Sequence, residues 1–292
     1  MGKALAVIST LENPYRLVVA QRGRYFAIPG LNTLTDALHV RLEELRDLID
    51  NSTELEVMGK LTAPVAKETE IWGAGVTYLR SRDARKEESG VPDVYQRVYD
   101  ADRPELFFKS TARRAVGFGG EIGIRDDSDA SVPEPEMAIV VNCYKEIIGL
   151  TICNDVTART IEGENPLYLS QAKLYVGSTS IGPIIKPIWD IADPSSLGIS
   201  ANIQRDETVI WSAQTSLASL HRTLEDLVSY LFRCQIFPDG VILSTGTGIV
   251  PTLDVSLEEG DIVSIVLDEI GTLTNKVVRI PLDSHSIFVQ RM

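Results

Sequence analysis

The sequence is poor in cysteine, in histidine and in long apolar runs. Its three cysteines, Cys143, Cys153 and Cys234, form no CxxC pair, which argues against a disulfide framework and against a zinc site. No segment approaches the ~18 consecutive apolar residues of a membrane-spanning helix. The N-terminal segment has no small-residue cleavage site after an apolar stretch of signal-peptide length. We therefore expect a protein of the reducing cytoplasm.

Positive charge is scarce as well. The 292 residues include 28 Lys and Arg against 41 Asp and Glu, which gives a formal net charge of −13. Such a chain lacks the dense basic face that neutralises phosphates, so we expect neither nucleic acid nor an anionic membrane as its main partner. Its hydrophobic content of 44% is that of an ordinary globular protein. A single large core, or one main domain with a small companion, fits this length.

Leucine spacing predicts the main helices and suggests how the chain is divided. Leucines three and four residues apart predict amphipathic helices over 34–50 and over 216–234. The pattern is interrupted after the first helix, and the division that fits it best lies between residues 60 and 64. We therefore expect a small N-terminal α+β domain at 1–63 and a main domain at 64–292.

Short apolar segments rich in β-branched residues predict that strands dominate the chain. They lie at 70–78, 104–110, 137–143, 146–154, 241–248, 261–271 and 273–280. Strands and helices do not alternate regularly, which favours an α+β architecture with a mixed, curled sheet over a doubly wound one.

Two glutamates stand at the entrance of one of these strands, in the sequence Pro133-Glu134-Pro135-Glu136. Residues i and i+2 of a strand point to the same face, so both carboxylates are directed to one point. Two carboxylates that close repel each other, and one takes up a proton unless a cation lies between them. The flanking prolines restrict the backbone and present the pair rigidly.

A tight turn between Tyr144 and Lys145 would bring a third carboxylate to the same place. With that turn, strand 137–143 pairs with strand 146–154 so that Glu134 lies opposite Asp155. Three hard oxygen ligands indicate Mg²⁺, with Mn²⁺ or Ca²⁺ as alternatives, rather than Zn²⁺. The simpler interpretation is that the glutamates solubilise a strand edge and that the aspartate caps a turn. A one-residue change of register would also send these side chains to the opposite face.

The segments around these carboxylates resemble the fumarylacetoacetate hydrolase family. The resemblance rests on PEPEMAIVV and GLTICNDVTAR, together with WGAGVTY, PELFFKS and STGTG in the same order, and it covers roughly residues 70–280. It implies a mixed β-roll that is often dimeric, so we expect a homodimer or a homotetramer. It also implies one divalent cation, bound by the residues matching Glu134, Glu136 and Asp155, and a small-molecule 2-oxo acid or β-diketone as substrate.

The resemblance also implies roles for residues outside the carboxylate group. Lys173 matches the active-site lysine of the family, although an ordinary surface lysine is the simpler interpretation of that residue alone. Gly246 and Thr247 match the Gly-Thr pair that holds the carboxylate end of the substrate. Arg159 follows the metal-binding aspartate, where a structural role is as well supported as substrate binding.

The chain departs from the hydrolases of this family at one position. Those hydrolases carry a histidine soon after the first motif, and the corresponding segment 75–88 contains none. The three histidines of the chain are His39 and His221, which fall in predicted helices, and His285 near the C-terminus. Without an imidazole at the site, hydrolytic C–C cleavage lacks its usual base, although Glu87 or Glu88 could replace it.

Segment 158–175 resembles the branch of the family that dehydrates 2-keto-3-deoxy sugar acids such as 2-keto-3-deoxyarabinonate, with 2-oxoglutarate semialdehyde as product. We therefore expect a magnesium-dependent dehydratase in which Lys173 removes a proton from C3. Glu105, or one of Glu87 and Glu88, is the candidate acid at C4. Arg80 and Arg82 are candidates for orienting the substrate, although solvated charges on a helix are the simpler interpretation. A C–C bond hydrolase of acylpyruvates or a 2-oxo acid decarboxylase remains the alternative, and a non-catalytic metal-binding scaffold is a third.

Overall fold

The computed structural model describes residues 2–55, 57–88 and 92–283, and strands dominate it. The strands are β1 (Ala4–Ser9), β2 (Arg16–Gln21), β3 (Arg24–Ala27), β4 (Thr53–Leu55), β5 (Lys60–Leu61), β6 (Glu70–Gly75), β7 (Glu105–Thr111), β8 (Ala115–Val116), β9 (Glu121–Arg125), β10 (Ser131–Val132), β11 (Pro135–Val141), β12 (Ile147–Asp155), β13 (Thr157–Ala158), β14 (Thr179–Pro187), β15 (Gly198–Arg205), β16 (Thr208–Ser216), β17 (Val241–Thr247), β18 (Ile262–Leu267) and β19 (Gly271–Ile280). The α-helices are α1 (Leu34–Leu38), α2 (Leu42–Asp50), α3 (Leu79–Glu88), α4 (Pro92–Asp100), α5 (Arg159–Glu164), α6 (Leu169–Lys173) and α7 (Leu224–Leu231).

Seventeen of these strands form two large mixed sheets, and β10 pairs with β13 in a separate two-stranded sheet. The larger has twelve strands in the order β4-β3-β2-β1-β14-β12-β11-β17-β6-β7, with β5 on β1 and β8 on β14. The smaller has five strands in the order β16-β15-β18-β19-β9. Most neighbours are antiparallel, whereas β6 runs parallel to β17, β8 to β14 and β9 to β19. The strand-dominated α+β class that the sequence predicts is confirmed.

Strand β11 lies at the centre of the molecule and is buried on both faces. Met137, Ile139 and Val141 belong to the core cluster that includes residues of β15, β18 and β19. Ala138 and Val140 belong to a second cluster, which includes residues of α1 and α2. A strand covered on both sides is apolar throughout rather than alternating, and this explains the uninterrupted run that precedes the β11–β12 turn.

The predicted helix over 34–50 is wrong in one respect, because the structure divides it into α1 and α2. Tertiary contacts end the first helix and begin the second. The carboxylate of Glu146, from the β11–β12 turn, accepts a hydrogen bond from the Leu42 backbone N–H at 2.9 Å. The side chain of Asn142 donates to the Val40 carbonyl at 3.0 Å. A side chain distant in sequence therefore serves as the N-terminal cap of α2.

The predicted helix over 216–234 is also shorter than expected. Strand β16 extends to Ser216, a 3₁₀ turn occupies Leu217–Ser219, and helix α7 covers only Leu224–Leu231. Thr223 caps α7 by accepting a hydrogen bond from the Asp226 backbone N–H at 3.1 Å. In the described part of the chain, no helix combines the length and the apolar character that crossing a bilayer requires.

The N-terminal strands are continuous with the main sheet. Strand β1 pairs with β14 through Leu5 and Ile185, and β2, β3 and β4 extend the sheet beyond β1. The division into domains at 1–63 and 64–292 stays a prediction.

Candidate active site

The β11–β12 hairpin has the register that the sequence predicts. Pro135 pairs with Asn154 and Glu136 with Cys153, and the Asp155 backbone N–H donates to the Glu134 carbonyl at 3.0 Å. Glu134 therefore lies opposite Asp155. At the turn, β11 ends at Val141 and β12 begins at Ile147, so both strands stop short of the predicted bounds 137–143 and 146–154. A bulge lies there, between Val140 and Val141. The register at the carboxylate end is the predicted one.

Three carboxylates meet at the open end of the hairpin. Glu134, Glu136 and Asp155 are at most 2% exposed, and one carboxylate oxygen from each lies within 4.8 Å of the others. The side-chain carbonyl of Asn154 accepts a hydrogen bond from the Glu134 backbone N–H at 3.2 Å and holds that residue at the strand entrance. We refer to Glu134, Glu136 and Asp155 as the carboxylate triad.

Strand β17 fixes the carboxylate of Glu136. Its Oε2 accepts hydrogen bonds from the Ser244 hydroxyl at 2.5 Å and from the Gly246 backbone N–H at 2.8 Å. Gly246 has a φ of +90°, and a Cβ at this position would lie 2.0 Å from the Thr77 hydroxyl oxygen. Only glycine fits both conditions, so the glycine of the STGTG motif serves the triad.

Lys173 bridges two members of the triad. Its Nζ lies 2.7 Å from Glu134 Oε2 and 2.9 Å from Asp155 Oδ2, and it donates to the Thr157 hydroxyl at 2.7 Å. The ring of Phe107 lies below it, with the Nζ 5.6 Å from the ring centroid. A positive charge therefore occupies the point at which these carboxylates converge, as a bound cation would.

Two further cations contact the triad from inside the protein. The Lys109 Nζ lies 2.6 Å from Asp155 Oδ1 and also donates to the Val156 and Lys173 carbonyls. The Arg159 Nη1 lies 3.3 Å from Glu134 Oε1. Glu134 and Asp155 therefore each contact a deep cation through one oxygen and Lys173 through the other.

Charge and burial make this group of residues suited to a divalent cation. Burial and the negative charges of Asp155 and Glu134 raise the pKa of Glu136 to about 8. A carboxyl with such a pKa holds its proton at neutral pH unless a cation replaces it. The oxygen-only set of the triad has the ligand chemistry of a Mg²⁺ site, so the residues present fit the cation that the sequence predicts.

The triad forms the floor of a cavity whose lining includes further ionisable side chains. Lys173, Glu105, Glu162 and Thr247 are among the residues that line this cavity. Three apolar side chains of helix α4 line it as well: Val94, Tyr95 and Val98. The cavity therefore combines a charged floor with apolar side chains that exclude water.

The family model for the fumarylacetoacetate (FAA) hydrolase C-terminal domain matches residues 70–278. The chain belongs to the fumarylacetoacetate hydrolase family. A probable 2-keto-3-deoxyxylonate dehydratase of Haloferax volcanii is 47% identical over 248 residues, which are 85% of this chain and 84% of the relative. A 2-dehydro-3-deoxy-D-arabinonate dehydratase of Saccharolobus solfataricus is 38% identical over 285 residues, which are 89% of this chain and 94% of the relative.

Solved structures of this family agree with the fold described above. The apo form of a 2-keto-3-deoxy-D-arabinonate dehydratase matches with a TM-score of 0.83 at 32% identity, and the match covers 95% of this chain and 99% of that chain. Such a dehydratase complexed with magnesium and 2,5-dioxopentanoate matches with a TM-score of 0.77 at 32% identity and the same coverage. The fold expected from the family resemblance is confirmed.

The structure brings together most of the residues that the sequence nominates. The triad, Lys173, Glu105, Gly246 and Thr247 all line the cavity. Gly75 leaves room for Glu105, since a Cβ there would lie 2.0 Å from Glu105 Oε2. The Gly246 N–H bonds to Glu136, so this residue positions a triad carboxylate, and its proposed contact with substrate stays a prediction.

Two of the residues that the sequence nominates, Arg159 and Arg82, are not among the described residues that line the cavity. Arg159 is 2% exposed and contacts Glu134 and Glu162, which agrees with the structural role considered for it. The Arg82 guanidinium pairs with Asp83 and lies over the Tyr99 ring; it is not among the residues lining the cavity. The side chain of Glu87 lies outside the described part of the structure. Substrate contacts by these residues stay predictions.

Sequence reasoning missed Phe107, Lys109 and Glu162, and each of these residues had a signal in the sequence. Glu105, Phe107 and Lys109 alternate along β7, and the two-residue period of a strand directs all three side chains to one face. Glu162 follows Arg159 by three residues on α5, a spacing that pairs side chains on a helix. The position of α4 above the cavity had no such signal, because it depends on tertiary packing.

The two described histidines lie away from the cavity lining. His39 ends α1, outside the helix body, and its Nε2 lies 2.9 Å from Asp239 Oδ1. His221 lies in the loop before α7, and its ring stacks on that of Tyr99 with centroids 4.4 Å apart. Neither is among the residues that line the cavity. His285 lies outside the described residues.

Proposed function

We propose that this protein is a magnesium-dependent lyase that removes water from a 2-keto-3-deoxy sugar acid. The expected substrate is 2-keto-3-deoxyarabinonate, and the expected product is 2-oxoglutarate semialdehyde, which is 2,5-dioxopentanoate. One observation carries the proposal: Lys173 and Glu105 line the same cavity as the buried carboxylate triad. The names of the two relatives support the same reaction.

The two relatives are named for different sugars, yet the names agree chemically. A 2-keto-3-deoxypentonate has lost the stereocentres at C2 and C3, so C4 is the remaining one. In the D series, the keto acids derived from xylonate and from arabinonate are therefore the same compound. A single cavity that recognises the C4 configuration suits both names.

The triad would hold the divalent cation, which when bound would polarise the 2-oxo acid and stabilise the negative charge that develops as C3 loses a proton. Lys173 is the group in the cavity that takes the C3 proton. It acts in its neutral amine form, after it loses the proton that it carries in its contacts with Glu134 and Asp155. The ring of Phe107, 5.6 Å from the Lys173 Nζ, shields this amino group from water on one side. Thr247 lines the cavity next to the triad, where the carboxylate end of the substrate would lie.

Glu105 is the candidate acid at the other end of the reacting bond. Donation of its proton to the C4 hydroxyl releases water as the C3–C4 double bond forms. Transfer of a proton from C5 to C3 then gives the C4–C5 enol. Transfer of the C5 hydroxyl proton to C4 converts this enol into the semialdehyde, without further loss or gain of atoms. Glu105 follows the turn after α4 and lies directly above Gly75, so its carboxylate is held by strand packing.

The test is NMR of the magnesium-loaded enzyme with four separate substrates: the D and L forms of 2-keto-3-deoxypentonate, one 2-keto-3-deoxyhexonate, and acetylpyruvate. We expect 2,5-dioxopentanoate from one pentonate, and no turnover by a Glu136→Ala variant whose circular dichroism is unchanged. Acetate and pyruvate from acetylpyruvate would instead establish the hydrolase. A folded, magnesium-binding protein that converts none of the four would support the scaffold interpretation.

We further propose a cytoplasmic location and a homodimeric or homotetrameric assembly. The three free cysteines suit a reducing compartment. Sedimentation velocity of the purified protein tests the assembly, and a monomer at micromolar concentration would contradict it.

A further inference from the structure

Glu162 is a buried acid in the cavity whose role the reaction described above leaves open. It lies on α5, is 4% exposed and lines the cavity beside Lys173. Its Oε2 accepts a hydrogen bond from the Arg159 Nη1 at 3.1 Å. Its other oxygen, Oε1, lies 3.9 Å from the Lys173 Nζ. One oxygen is thus anchored, and the other faces the lysine at slightly more than hydrogen-bond distance.

Lys173 and a divalent cation need the same carboxylate oxygens. The deep oxygens of Glu134 and Asp155, Oε1 and Oδ1, contact Arg159 and Lys109, which are not among the residues lining the cavity. The oxygens that Lys173 contacts are Glu134 Oε2 and Asp155 Oδ2. A cation that enters from the cavity therefore competes with the amino group of Lys173 for these two oxygens.

Once a cation takes those oxygens, Lys173 keeps its contact with the Thr157 hydroxyl, 2.7 Å away. Among the described carboxylates, that of Glu162 is then the next nearest to the Nζ. A shift of about 1 Å would bring the two atoms to hydrogen-bond distance. The new partner lies on the cavity wall, so Lys173 remains directed to the space that the substrate occupies.

We propose that Glu162 is a positioning residue that receives the amino group of Lys173 when a divalent cation binds the carboxylate triad. This inference rests on the metal site of the proposed function. Without the Glu162 charge, Lys173 stays on Glu134 and Asp155 and opposes the cation. Glu162 therefore favours cation binding through Lys173, in addition to any direct effect of its charge.

The test is the dissociation constant of Mg²⁺, measured by calorimetry without substrate. Glu162→Gln keeps an oxygen for the hydrogen bond from Arg159 but removes the charge. We expect this change to weaken Mg²⁺ binding about tenfold, the effect of losing one charge-assisted hydrogen bond. Glu164→Gln makes the same change at an exposed position of the same helix, and we expect it to leave the constant unchanged.

A double-mutant cycle separates the two ways in which Glu162 could act. If Glu162 acts through Lys173, then Glu162→Gln weakens Mg²⁺ binding much less in the Lys173→Met background than in the native protein. Equal weakening in both backgrounds would mean that the Glu162 charge acts through space alone, and the proposal would be overturned. Unchanged binding after Glu162→Gln in the otherwise native protein would also overturn it.

The native protein offers a measurement that depends on no variant, should Lys173→Met fail to fold. In a crystal structure with Mg²⁺, we expect the Lys173 Nζ within hydrogen-bond distance of Glu162 Oε1. A Nζ that remains on Glu134 and Asp155 beside the bound cation would refute the exchange. A native protein that binds no Mg²⁺ would refute the proposed metal site itself, and this inference with it.

Discussion

Gly75→Ala offers a test of Glu105 that leaves the acid itself in place. A Cβ at Gly75 would lie 2.0 Å from Glu105 Oε2 and 2.6 Å from its Cδ. Both distances are far below van der Waals contact, so the Glu105 carboxylate must leave its position above β6. Because that carboxylate is the end of a flexible side chain, we expect it to turn away while the strand keeps its structure.

The size of the effect follows from the role proposed for Glu105. A positioned general acid contributes about 10²- to 10⁴-fold to a rate, so we expect Gly75→Ala to lower kcat by at least about 100-fold. The carboxylate triad does not include Gly75 or Glu105, and we expect the dissociation constant of Mg²⁺ to stay unchanged. The assay is the initial rate of 2,5-dioxopentanoate formation, with Mg²⁺ binding measured by calorimetry.

The matched control is the same substitution in a Glu105→Ala background. In that background the added methyl group meets no carboxylate, so Gly75→Ala should change kcat by no more than about threefold. The two substitutions are then not additive, because both act on the Glu105 carboxylate. Replacing a strand glycine by alanine should also stabilise that background by about 0.5–1 kcal/mol. Wild-type kcat in the Gly75→Ala enzyme, or equal losses in both backgrounds, would refute the assignment of Glu105.

Three further predictions concern stability and metal binding. Lys109→Met removes the buried cation 2.6 Å from Asp155 Oδ1, while Asp155 keeps its contact with Lys173 through Oδ2. We expect the free energy of unfolding in urea to fall by about 1.5–3 kcal/mol, with partial recovery in Mg²⁺; an unchanged value would contradict the buried pair. The pKa of Glu136 is raised from 4.5 to about 8 in the folded protein. Between these pH values the unfolded chain loses this proton and the folded chain keeps it, so the free energy of unfolding of the metal-free protein should fall as pH rises from 4.5 to about 8. Calorimetry at pH 7 in buffers of different ionisation enthalpy should show a proton released as Mg²⁺ binds, and the absence of release would exclude the raised pKa. Thr223→Ala removes the N-terminal cap of α7 and should lower stability by about 1 kcal/mol in thermal unfolding, without changing kcat.

The carboxylate triad is the part of the site that local sequence patterns predicted most completely. Glu134 and Glu136 share a face because strand side chains alternate, and the turn position sets the register that brings Asp155 opposite Glu134. These relations involve residues close together in the chain, so strand geometry suffices to derive them. The same geometry applied along β7 would have placed Lys109 on the face that carries Glu105.

The helix predictions failed where residues distant in sequence decide the backbone. Leucine spacing predicted one helix over 34–50, yet Glu146 and Asn142 from the β11–β12 turn stabilise a break between α1 and α2. Over 216–234 the leucines have helical spacing, but Leu217 is buried from a 3₁₀ turn that follows β16. A leucine side chain can be buried from an α-helix or from a 3₁₀ turn, so the spacing of the leucines alone could not distinguish these two backbone conformations.

By itself, the sequence determined the strand-dominated architecture, the register of the central hairpin and the family to which the chain belongs. These depend on alternation, turn position and motifs that lie within short segments. Only the tertiary structure decided which charged groups contact the triad and what covers the cavity. Glu162 meets Lys173, Arg159 meets Glu134 and α4 lies above the cavity because separate segments pack against one another, and no local period encodes that packing.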